Sequence, residues 1–376
     1  MHRQIIFIVV FLSVLALINT YVYRRFYRQL SPRFQHAGTF MMLAIMAGEV
    51  VFVINVITDF FPDSPILYLI LSALVGISFM LFVVALLYDL IVSVARRIPF
   101  DQERRGAIKV PFDMVIIILT ALYLCLGFFQ GIDQPEVNTV VVQIEDFPFD
   151  GFTIVQLSDL HVGRAIKADF LEEIVSRTNA MQPDMVAITG DLFDMAAENL
   201  SKDLAPLMDL DAPAFFVTGN HEYYHGVEPM LELVQTLGIK VLNNQSIRFG
   251  NDEDHFFLVG INDLTGARFG VRPPDVETAY ANVDPLKPTI VLSHQPKSLS
   301  LVEGRRCDLM LSGHTHGGQI FPFGLLVKLD QPYLSGLHEH QPGQQIFVSR
   351  GTGYWGPPLR VMAPSEISRI VITRAQ

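Results

Sequence analysis

The sequence predicts an α/β chain in which an all-α bundle of about four transmembrane helices precedes a sandwich of two packed sheets with helices outside. Long apolar runs fill the first third of the chain, and strands first alternate with helices and then become more frequent in the remainder. Side chains of the kinds that bind metals follow five separate strands. The predicted domains are residues 1–132, which form the transmembrane helical domain, and residues 133–376, which form the sandwich.

Four apolar runs lie at residues 5–22, 40–61, 66–92 and 114–130. Each approaches or exceeds the ~18–20 residues that a helix needs to cross the hydrocarbon core of a bilayer. Hydrophobic residues make up 50% of the chain and the mean hydropathy is +0.36, which is high for a soluble enzyme. Arginines, and no small-residue cleavage site, follow the first run, so we expect a retained helix. The chain is therefore predicted to be a multi-pass membrane protein.

The distribution of Lys and Arg predicts the orientation of these helices. The loops after the first and third runs are basic and contain Arg24, Arg25, Arg28, Arg33, Arg96, Arg97, Arg104, Arg105 and Lys109. The connection between the second and third runs contains Asp63 and no basic residue. Basic loops stay cytoplasmic, so we expect the N-terminus and the second domain on the exterior side, although Arg3 favours the opposite orientation.

Glu49 is an ionisable residue inside the second apolar run. An intramembrane carboxylate is by default a functional candidate. Because no second ionisable residue lies mid-span to form a relay, we interpret Glu49 as a protonated or hydrogen-bonded carboxyl between helices.

The charge distribution argues against nucleic acid as a partner. The net charge is −11 and is unevenly distributed. Residues 1–132 contain 10 Lys and Arg against 7 Asp and Glu, whereas the remaining residues contain 17 Lys and Arg against 31 Asp and Glu. An acidic second domain without a basic stripe does not suit a phosphate backbone. Cys125 and Cys307 are the two cysteines, and they supply neither a disulfide framework nor a Cys-based metal site.

A polar linker at residues 131–135 separates the two predicted domains. Strands are then predicted at residues 137–144, 152–157, 185–189, 215–218, 240–242, 256–259, 289–292, 308–311, 345–349 and 367–373. Helices are predicted from about residue 170 and over about 229–237. The first strand alternates and is rich in Val, which indicates an edge or hairpin strand. Residues around 226, 266–274 and 325–341 are expected to be loops that set specificity.

The run Gly-His-Thr-His-Gly-Gly-Gln at residues 313–319 is the most informative segment. The two histidines of an extended His-x-His would point to opposite faces of a strand. Glycines on both sides let the backbone turn so that both rings reach one site, and neutral imidazole is a common ligand of zinc-like metals. The run follows an apolar stretch, so we expect it at the C-terminal end of a strand, where α/β folds place their chemistry.

Metal-type side chains occur at five strand ends in all: Asp159 with His161, Asp191, Asn220 with His221, His294, and His314 with His316. A single Asp at a strand end is usually a cap or turn residue, so the repetition carries the inference. Oxygen and nitrogen donors without thiolate suit Mn, Fe or Zn. Seven ligands exceed the needs of one tetrahedral ion, so we expect two divalent ions that share a carboxylate, which fits in-line displacement at phosphorus. A spare histidine beside the asparagine would protonate the leaving group or stabilise charge.

These segments resemble the five sequence blocks of the calcineurin-like metallophosphoesterases. The matching residues, in order, are Asp159-Leu160-His161, Gly190-Asp191, Gly219-Asn220-His221-Glu222, His294 and Gly313-His314-Thr315-His316. The resemblance covers residues 152–376, and through residues 317–319 and 349–353 it is strongest to the membrane-associated bacterial branch. The helical start is similar to that of transmembrane proteins with a metallophosphoesterase domain. The resemblance implies a four-layer α/β/β/α sandwich and a location in the bacterial inner membrane. The Lys and Arg distribution then predicts that the catalytic domain lies on the exterior, periplasmic side.

The resemblance also implies a role for each site residue. Asp159, His161 and His316 would hold the first ion, Asp191 would bridge both, and Asn220, His294 and His314 would hold the second. His221 would be the catalytic acid or the phosphate-contacting residue, and Glu222 would orient it. The implied reaction is hydrolysis of a phosphodiester or pyrophosphate bond by metal-activated water.

Comparison of the sequence with two phosphatase groups of the same fold limits the expected activity. Phe193 stands where purple acid phosphatases place a tyrosine ligand, so a tyrosinate-coloured centre is not expected. Serine/threonine protein phosphatases use additional arginines around the phosphate, and the candidates here are Arg164 and Arg350. Protein phosphatase activity is therefore less expected than hydrolysis of a diester or pyrophosphate.

The substrate and one rival function stay open at this point. Tyr223, Tyr224, Tyr354 and Trp355 could form a rim for an apolar or lipid substrate, and ordinary loop packing explains them equally well. The expected partners are the membrane lipid bilayer and a phosphate-ester substrate that could be lipid-derived. The alternative is a membrane protein whose metal-binding domain has a sensing or structural role, but a mere binding site would not need His221.

Overall fold

The computed structural model describes residues 2–29, 31–58, 64–98 and 102–375, so the connection that contains Asp63 lies outside the described residues. The chain divides into two compact units, residues 1–132 with 356–361 and residues 133–355 with 362–376. Residues 356–361 therefore group with the helices, although the sequence assigns them to the second domain. Within the first unit the backbone N–H of Arg360 donates to the carbonyl oxygen of Gly127 at 2.9 Å.

The first unit contains four long helices. They are α1 (His2–Arg25), α2 (Pro32–Thr58), α3 (Pro65–Ala95) and α4 (Gln102–Ile132). Spans of 18, 23, 31 and 27 residues within them are long and apolar enough to cross a membrane, with mean hydropathies from 1.4 to 2.8. Helix α3 packs against the other three, and Ser64 caps its first turn by accepting a hydrogen bond from the Leu67 N–H.

A buried polar cluster joins α1, α2 and α3. The side-chain amide of Asn19 donates to both carboxylate oxygens of Glu49 at 3.1 and 2.9 Å, and the Ser78 hydroxyl donates to Asn19 Oδ1 at 3.1 Å. These three side chains are at most 4% exposed. Because unsatisfied polar groups are costly in hydrocarbon, the cluster fixes the three helices to one another. It contains the hydrogen-bonded carboxyl that the sequence predicts at Glu49.

The second unit contains twelve strands and seven shorter α-helices among the described residues. The strands are β1 (Glu136–Ile144), β2 (Phe152–Leu157), β3 (Met185–Thr189), β4 (Ala214–Val217), β5 (Lys240–Val241), β6 (Gln245–Gly250), β7 (His255–Gly260), β8 (Thr289–Leu292), β9 (Leu309–Ser312), β10 (Gly336–Gln341), β11 (Gln344–Val348) and β12 (Glu366–Arg374). The helices are α5 (Ala168–Ala180), α6 (Ser201–Leu204), α7 (Asn220–Tyr224), α8 (Val227–Thr236), α9 (Thr265–Phe269), α10 (Val276–Ala279) and α11 (Gly324–Val327).

The strands form two six-stranded sheets, of order β1-β12-β2-β3-β4-β5 and β10-β11-β9-β8-β7-β6. Strands β2, β3 and β4 are parallel, and so are β7, β8 and β9. Strand β1 is an edge strand, as predicted, and it pairs in parallel with β12, the last strand of the chain. The carboxyl ends of parallel strands meet at one edge of each sheet, and this edge is where such folds place functional loops.

Three hydrophobic clusters separate four layers. The sheets pack face to face through side chains such as Ile154 of β2 and Phe256 and Leu258 of β7. The other face of the first sheet packs against α5 and α8, and the other face of the second packs against residues such as Tyr280 and Leu299. Because central strands are covered on both faces, β3 buries every residue. The predicted α/β/β/α sandwich is confirmed.

The sequence does not predict β6 and β10, the two edge strands of the second sheet. Their residues are all exposed or half-buried, so neither strand has the apolar run by which the central strands are recognised. Residues 325–341 are correspondingly not a loop throughout, because they include most of α11 and all of β10.

Candidate metal centre

The loops that follow β2, β3 and β9 have unusual backbone conformations. Asp159, His161, Asp191, His314 and His316 all have positive φ angles, between 49° and 70°. Such conformations cost non-glycine residues of order 1–3 kcal/mol each and cluster at functional sites, where the surrounding structure imposes them. The surrounding structure therefore holds these loops, and the side chains that they carry, in conformations that the backbone would not prefer locally.

Asp159, His161 and His316 form a first buried cluster, in which one potential ligand atom from each residue lies within 4.8 Å of the others. The Nε2 atoms of the two histidines are 3.1 Å apart, and His316 Nε2 is 3.4 Å from Asp159 Oδ1. The three residues are at most 7% exposed. Two imidazole nitrogens and a carboxylate oxygen that converge in this way match the donors of a divalent metal.

Asp191, His294 and His314 form a second cluster under the same 4.8 Å criterion. His294 Nε2 lies 3.2 Å from Asp191 Oδ2 and also 3.2 Å from Asn220 Oδ1, which brings the asparagine into the cluster. Partial burial and the neighbouring charge of His294 lower the pKa of His314 to about 3. The imidazole of His314 is therefore neutral near pH 7, as a metal ligand must be.

Asp191 joins the two clusters. Its Oδ2 atom lies 3.9 Å from His161 Nε2 on one side and 3.2 Å from His294 Nε2 on the other. All seven ligands predicted from the sequence are thus brought together in two groups that meet at this carboxylate. The donors are oxygen and nitrogen atoms, and the residues present fit divalent metal ions.

His221 lies beside the first cluster and is held by two aspartates. Its Nδ1 atom is 2.7 Å from Asp194 Oδ1, and its backbone N–H donates to Asp191 Oδ1 at 2.9 Å. Burial opposes a charged ring, but the negative charges of Asp191 and Asp194 and the hydrogen bond to Asp194 raise the pKa of His221 to about 9. The ring is therefore a cation near pH 7, with Nδ1–H bound to Asp194.

Asp194 is the site residue that the sequence reasoning misses. It stands three residues after Asp191, in Gly-Asp-Leu-Phe-Asp, and this repeated carboxylate is the signal that could have revealed it. Its Oδ1 atom is also 3.6 Å from His161 Nδ1. Asp194 therefore contacts both a predicted ligand and the predicted acid.

Glu222 has a different role from the expected one. Its buried carboxylate accepts hydrogen bonds from the backbone N–H groups of Asp191 at 3.1 Å, of Leu192 at 2.9 Å and of Gly219. These bonds tie the loop after β3 to the loop after β4. The His221 ring is oriented by Asp194, and Glu222 instead orients the backbone that carries Asp191 and Asn220.

The two arginines proposed from the sequence differ in their surroundings. Nε and Nη2 of Arg350 each lie 2.7 Å from Glu366 Oε2, so its charge is largely neutralised by a buried carboxylate. Arg164 is 9% exposed and interacts electrostatically with Asp194. The expectation that Arg350 is available to a phosphate group is therefore not supported by its contacts.

Two of the four candidate rim residues lie beside His221. The rings of Tyr224 and Trp355 are centred 5.2 and 6.2 Å from the His221 ring, and each residue is 51% exposed. Tyr223 is buried, and its hydroxyl contacts Thr218 and the Arg272 carbonyl. Tyr354 is partly buried against the hydrophobic cluster between the first sheet and helices α5 and α8. Ordinary packing thus explains Tyr223 and Tyr354, whereas Tyr224 and Trp355 border the site.

Replacing Gly313 with alanine should impair metal binding. A Cβ atom at this position would collide with Ser158 Oγ and the Asp159 carboxylate, so the loop that carries His314 and His316 must move. We expect the metal dissociation constant, measured by titration, to rise by about 10- to 100-fold. Gly106→Ala is the control because no atom lies near its added Cβ; an unchanged affinity in Gly313→Ala would contradict the prediction.

Replacing Asp194 with asparagine should lower kcat by about 10- to 100-fold and shift its pH dependence. In wild type the Asp194 carboxylate raises the pKa of His221. Without the Asp194 anion this pKa falls, so the alkaline limb of the rate profile moves to lower pH. Asp203→Asn, which removes a carboxylate 3.1 Å from Lys167, is the control and should leave the profile in place. A uniform loss of rate without a shifted limb would argue against this role.

Comparison with known proteins identifies similarity to phosphoesterases. The model of the calcineurin-like phosphoesterase family matches residues 152–318, which include all eight predicted site residues. An uncharacterized metallophosphoesterase of Helicobacter pylori is 37% identical over 365 residues, 96% of each chain. A transmembrane protein with metallophosphoesterase domain of Danio rerio is 36% identical over 274 residues, 70% of this chain and 63% of that protein. Phosphodiesterase YaeI of Escherichia coli is 33% identical over 215 residues, 54% of this chain and 75% of that protein.

Proposed function

Because the chain belongs to the calcineurin-like metallophosphoesterases, which are metal-dependent phosphoester hydrolases, we propose that it hydrolyses a phosphodiester or pyrophosphate bond with two divalent ions. The observation that best supports two ions is the position of Asp191 Oδ2, which faces a histidine of each cluster at 3.9 and 3.2 Å. The ions are Mn, Fe or Zn. The protein lies in the bacterial inner membrane with its site on the exterior side, since the basic loops stay in the cytoplasm.

In this proposal each cluster holds one ion. Asp159, His161 and His316 would hold the first ion, Asn220, His294 and His314 would hold the second, and Asp191 would be shared between them. When bound, such ions lower the pKa of a water molecule and bind phosphoryl oxygens. The protein's own contribution is to fix these donors, and the Glu222 carboxylate does so by holding the backbone of Asp191 and Gly219.

His221 supplies the proton for the leaving group. Asp194 occupies its Nδ1–H at 2.7 Å, so Nε2–H is the proton that can be donated. The Asp194 carboxylate raises the pKa of His221 and so favours the protonated ring. The chain therefore needs no external acid to expel an alkoxide or phosphate.

The surrounding charge favours a diester bond over a phosphomonoester. A monoester dianion requires more cationic stabilisation than a diester monoanion, and Arg350 is already paired with Glu366. The name of the related YaeI protein, a phosphodiesterase, agrees with this choice. The exposed rings of Tyr224 and Trp355 and the membrane helices favour a lipid-linked substrate.

Metal reconstitution of the full-length protein tests this function. We would strip the purified protein with a chelator, add back Mn, Fe or Zn, and compare hydrolysis of bis-p-nitrophenyl phosphate with that of p-nitrophenyl phosphate. We expect metal-dependent cleavage, with kcat/KM at least about tenfold higher for the diester. A higher kcat/KM for the monoester would contradict the bond assignment. Folded, metal-loaded protein that cleaves neither would instead favour a sensing or structural role.

A further inference from the structure

A short apolar segment at residues 321–329, Phe-Pro-Phe-Gly-Leu-Leu-Val-Lys-Leu, is exposed close to the metal centre in sequence and in space. The exposed fractions are 84% for Leu329, 62% for Leu325, 56% for Leu326, 50% for Phe321 and 40% for Phe323. Single exposed apolar residues are ordinary, but five large ones within nine residues form a patch. Such patches mark surfaces that contact a protein, a ligand or a membrane.

Hydrogen bonds give this apolar segment a defined shape. The N–H groups of Leu325, Leu326 and Leu329 donate to the carbonyls of Pro322, Phe323 and Leu326 at 2.9, 2.8 and 3.0 Å. The exposed side chains are therefore presented by compact turns, which include α11, and their exposure does not come from an unstructured chain.

The apolar segment is also fixed to the loop that carries two predicted ligands. A Cβ on Gly318 would collide with Gly324, so the two backbones touch. On the far side of the segment, the Thr315 hydroxyl, between His314 and His316, donates to the Leu334 carbonyl at 2.6 Å. Whatever the apolar segment contacts is consequently held close to the metal centre.

The local charge distinguishes this surface from the rest of its unit. Residues 133–376 carry 31 Asp and Glu against 17 Lys and Arg, yet residues 309–329 contain no Asp or Glu and include Lys328, which is exposed. The next acid, Asp330, forms an ion pair with Lys297 at 2.8 Å, which offsets its charge. An apolar surface whose one adjoining acid is paired and which carries a lysine suits an anionic bilayer, where apolar side chains enter the interface and lysine pairs with headgroups.

We propose that residues 321–329 insert into the surface of the bilayer that holds the chain's own helices. Helix α4 ends at Ile132 and β1 begins at Glu136, so a link of three residues keeps the second unit at high effective concentration near that surface. Insertion holds the metal-ligand loop at headgroup level. The inference rests on the proposed function and deepens it, since the substrate is then a phosphate ester carried by a membrane lipid.

Fluorescence quenching in nanodiscs tests the insertion independently of activity. Full-length protein with Cys125→Ser and Leu329→Cys, which keeps the buried Cys307, would carry an environment-sensitive probe in discs of phosphatidylethanolamine and phosphatidylglycerol. The control is Leu286→Cys, because Leu286 is 80% exposed and follows the acidic Asp284. We expect lipids with a nitroxide on the acyl chain to quench the probe at Leu329 about twofold more than the probe at Leu286. Equal quenching at the two positions would overturn the proposal.

A second outcome of the same experiment would also overturn it. If the Leu329 probe shifts its emission in detergent as the protein concentration rises, without nitroxide lipid, the apolar segment contacts a second copy of the chain. An emission spectrum that is independent of protein concentration, together with quenching by lipid, supports the bilayer.

Kinetics of Leu325→Asp/Leu329→Asp test the link to substrate. Neither side chain belongs to the metal centre, so hydrolysis of water-soluble bis-p-nitrophenyl phosphate should match wild type. With a phospholipid diester embedded in vesicles, KM should rise about tenfold because charged side chains oppose insertion, whereas Leu286→Asp should behave as wild type. An unchanged KM for the embedded diester would overturn the proposal. Failure of wild type on the soluble diester would instead refute the proposed hydrolase while leaving the quenching result standing.

Discussion

Replacing Asp191 with asparagine is expected to lower kcat/KM for a diester by about 10³-fold, equivalent to about 4 kcal/mol of transition-state stabilisation. Asp191 Oδ2 is the atom that faces both clusters. In the variant an amide N–H group can take the place of that oxygen, which removes a negative charge and one lone pair that two ions would share. The effect is expected to be large because both ions would depend on the Asp191 carboxylate.

The substitution should leave the fold intact, which makes its result interpretable. Asparagine keeps the shape of the side chain, and its remaining oxygen can still accept the hydrogen bond that Asp191 Oδ1 receives from the His221 N–H. The backbone N–H of residue 191 also keeps its bond to Glu222. Thermal unfolding should therefore be close to wild type in the metal-free state.

Metal content measured by mass spectrometry, together with kinetics, would check the expectation. Asp191→Asn should retain fewer than two ions per chain, whereas Asp252→Asn, at a side chain that is 91% exposed, should retain the wild-type number and rate. A variant with full metal content and a near-normal rate would exclude Asp191 as the bridging ligand.

The sequence suffices to predict the layers and the ligand candidates because both follow local rules. Fully buried strands such as β3 appear as continuous apolar runs, and the residue that follows each carboxyl end is read directly from the chain. Parallel pairing then brings those ends together without further information from side chains. The four apolar helices follow from length and composition in the same way.

What the sequence does not predict depends on contacts between distant residues. Arg350 is neutralised by Glu366, 16 positions away, and His221 is oriented by Asp194, 27 positions away. Neither pairing produces a periodic pattern in the sequence from which it could be predicted. The strands β6 and β10 are missed for another reason: all their residues are exposed or half-buried, so they contain no continuous apolar run. The apolar segment at residues 321–329 is visible as composition, but its exposure is a property of the fold.

Replacing His221 with alanine is expected to lower kcat by about 10²- to 10⁴-fold, the usual contribution of a positioned general acid. The variant should keep its metal, because His221 is not among the ligands assigned to either ion. The loss should also depend on the leaving group. An alkoxide of high pKa needs the proton of His221 to depart, whereas nitrophenolate is stable as an anion and departs without it.

The measurement is therefore a pair of rates, for an alkyl diester and for a nitrophenyl diester, in wild type and His221→Ala with equal metal content. We expect the rate ratio of the two substrates to widen in the variant, because protonation matters for the alkyl ester alone. His225→Ala removes the ring whose centre is 6.4 Å from that of His221 and should leave both rates close to wild type. If His221→Ala slows both substrates equally, the side chain binds the phosphoryl group instead of protonating the leaving group, because charge stabilisation at phosphorus would affect both reactions alike.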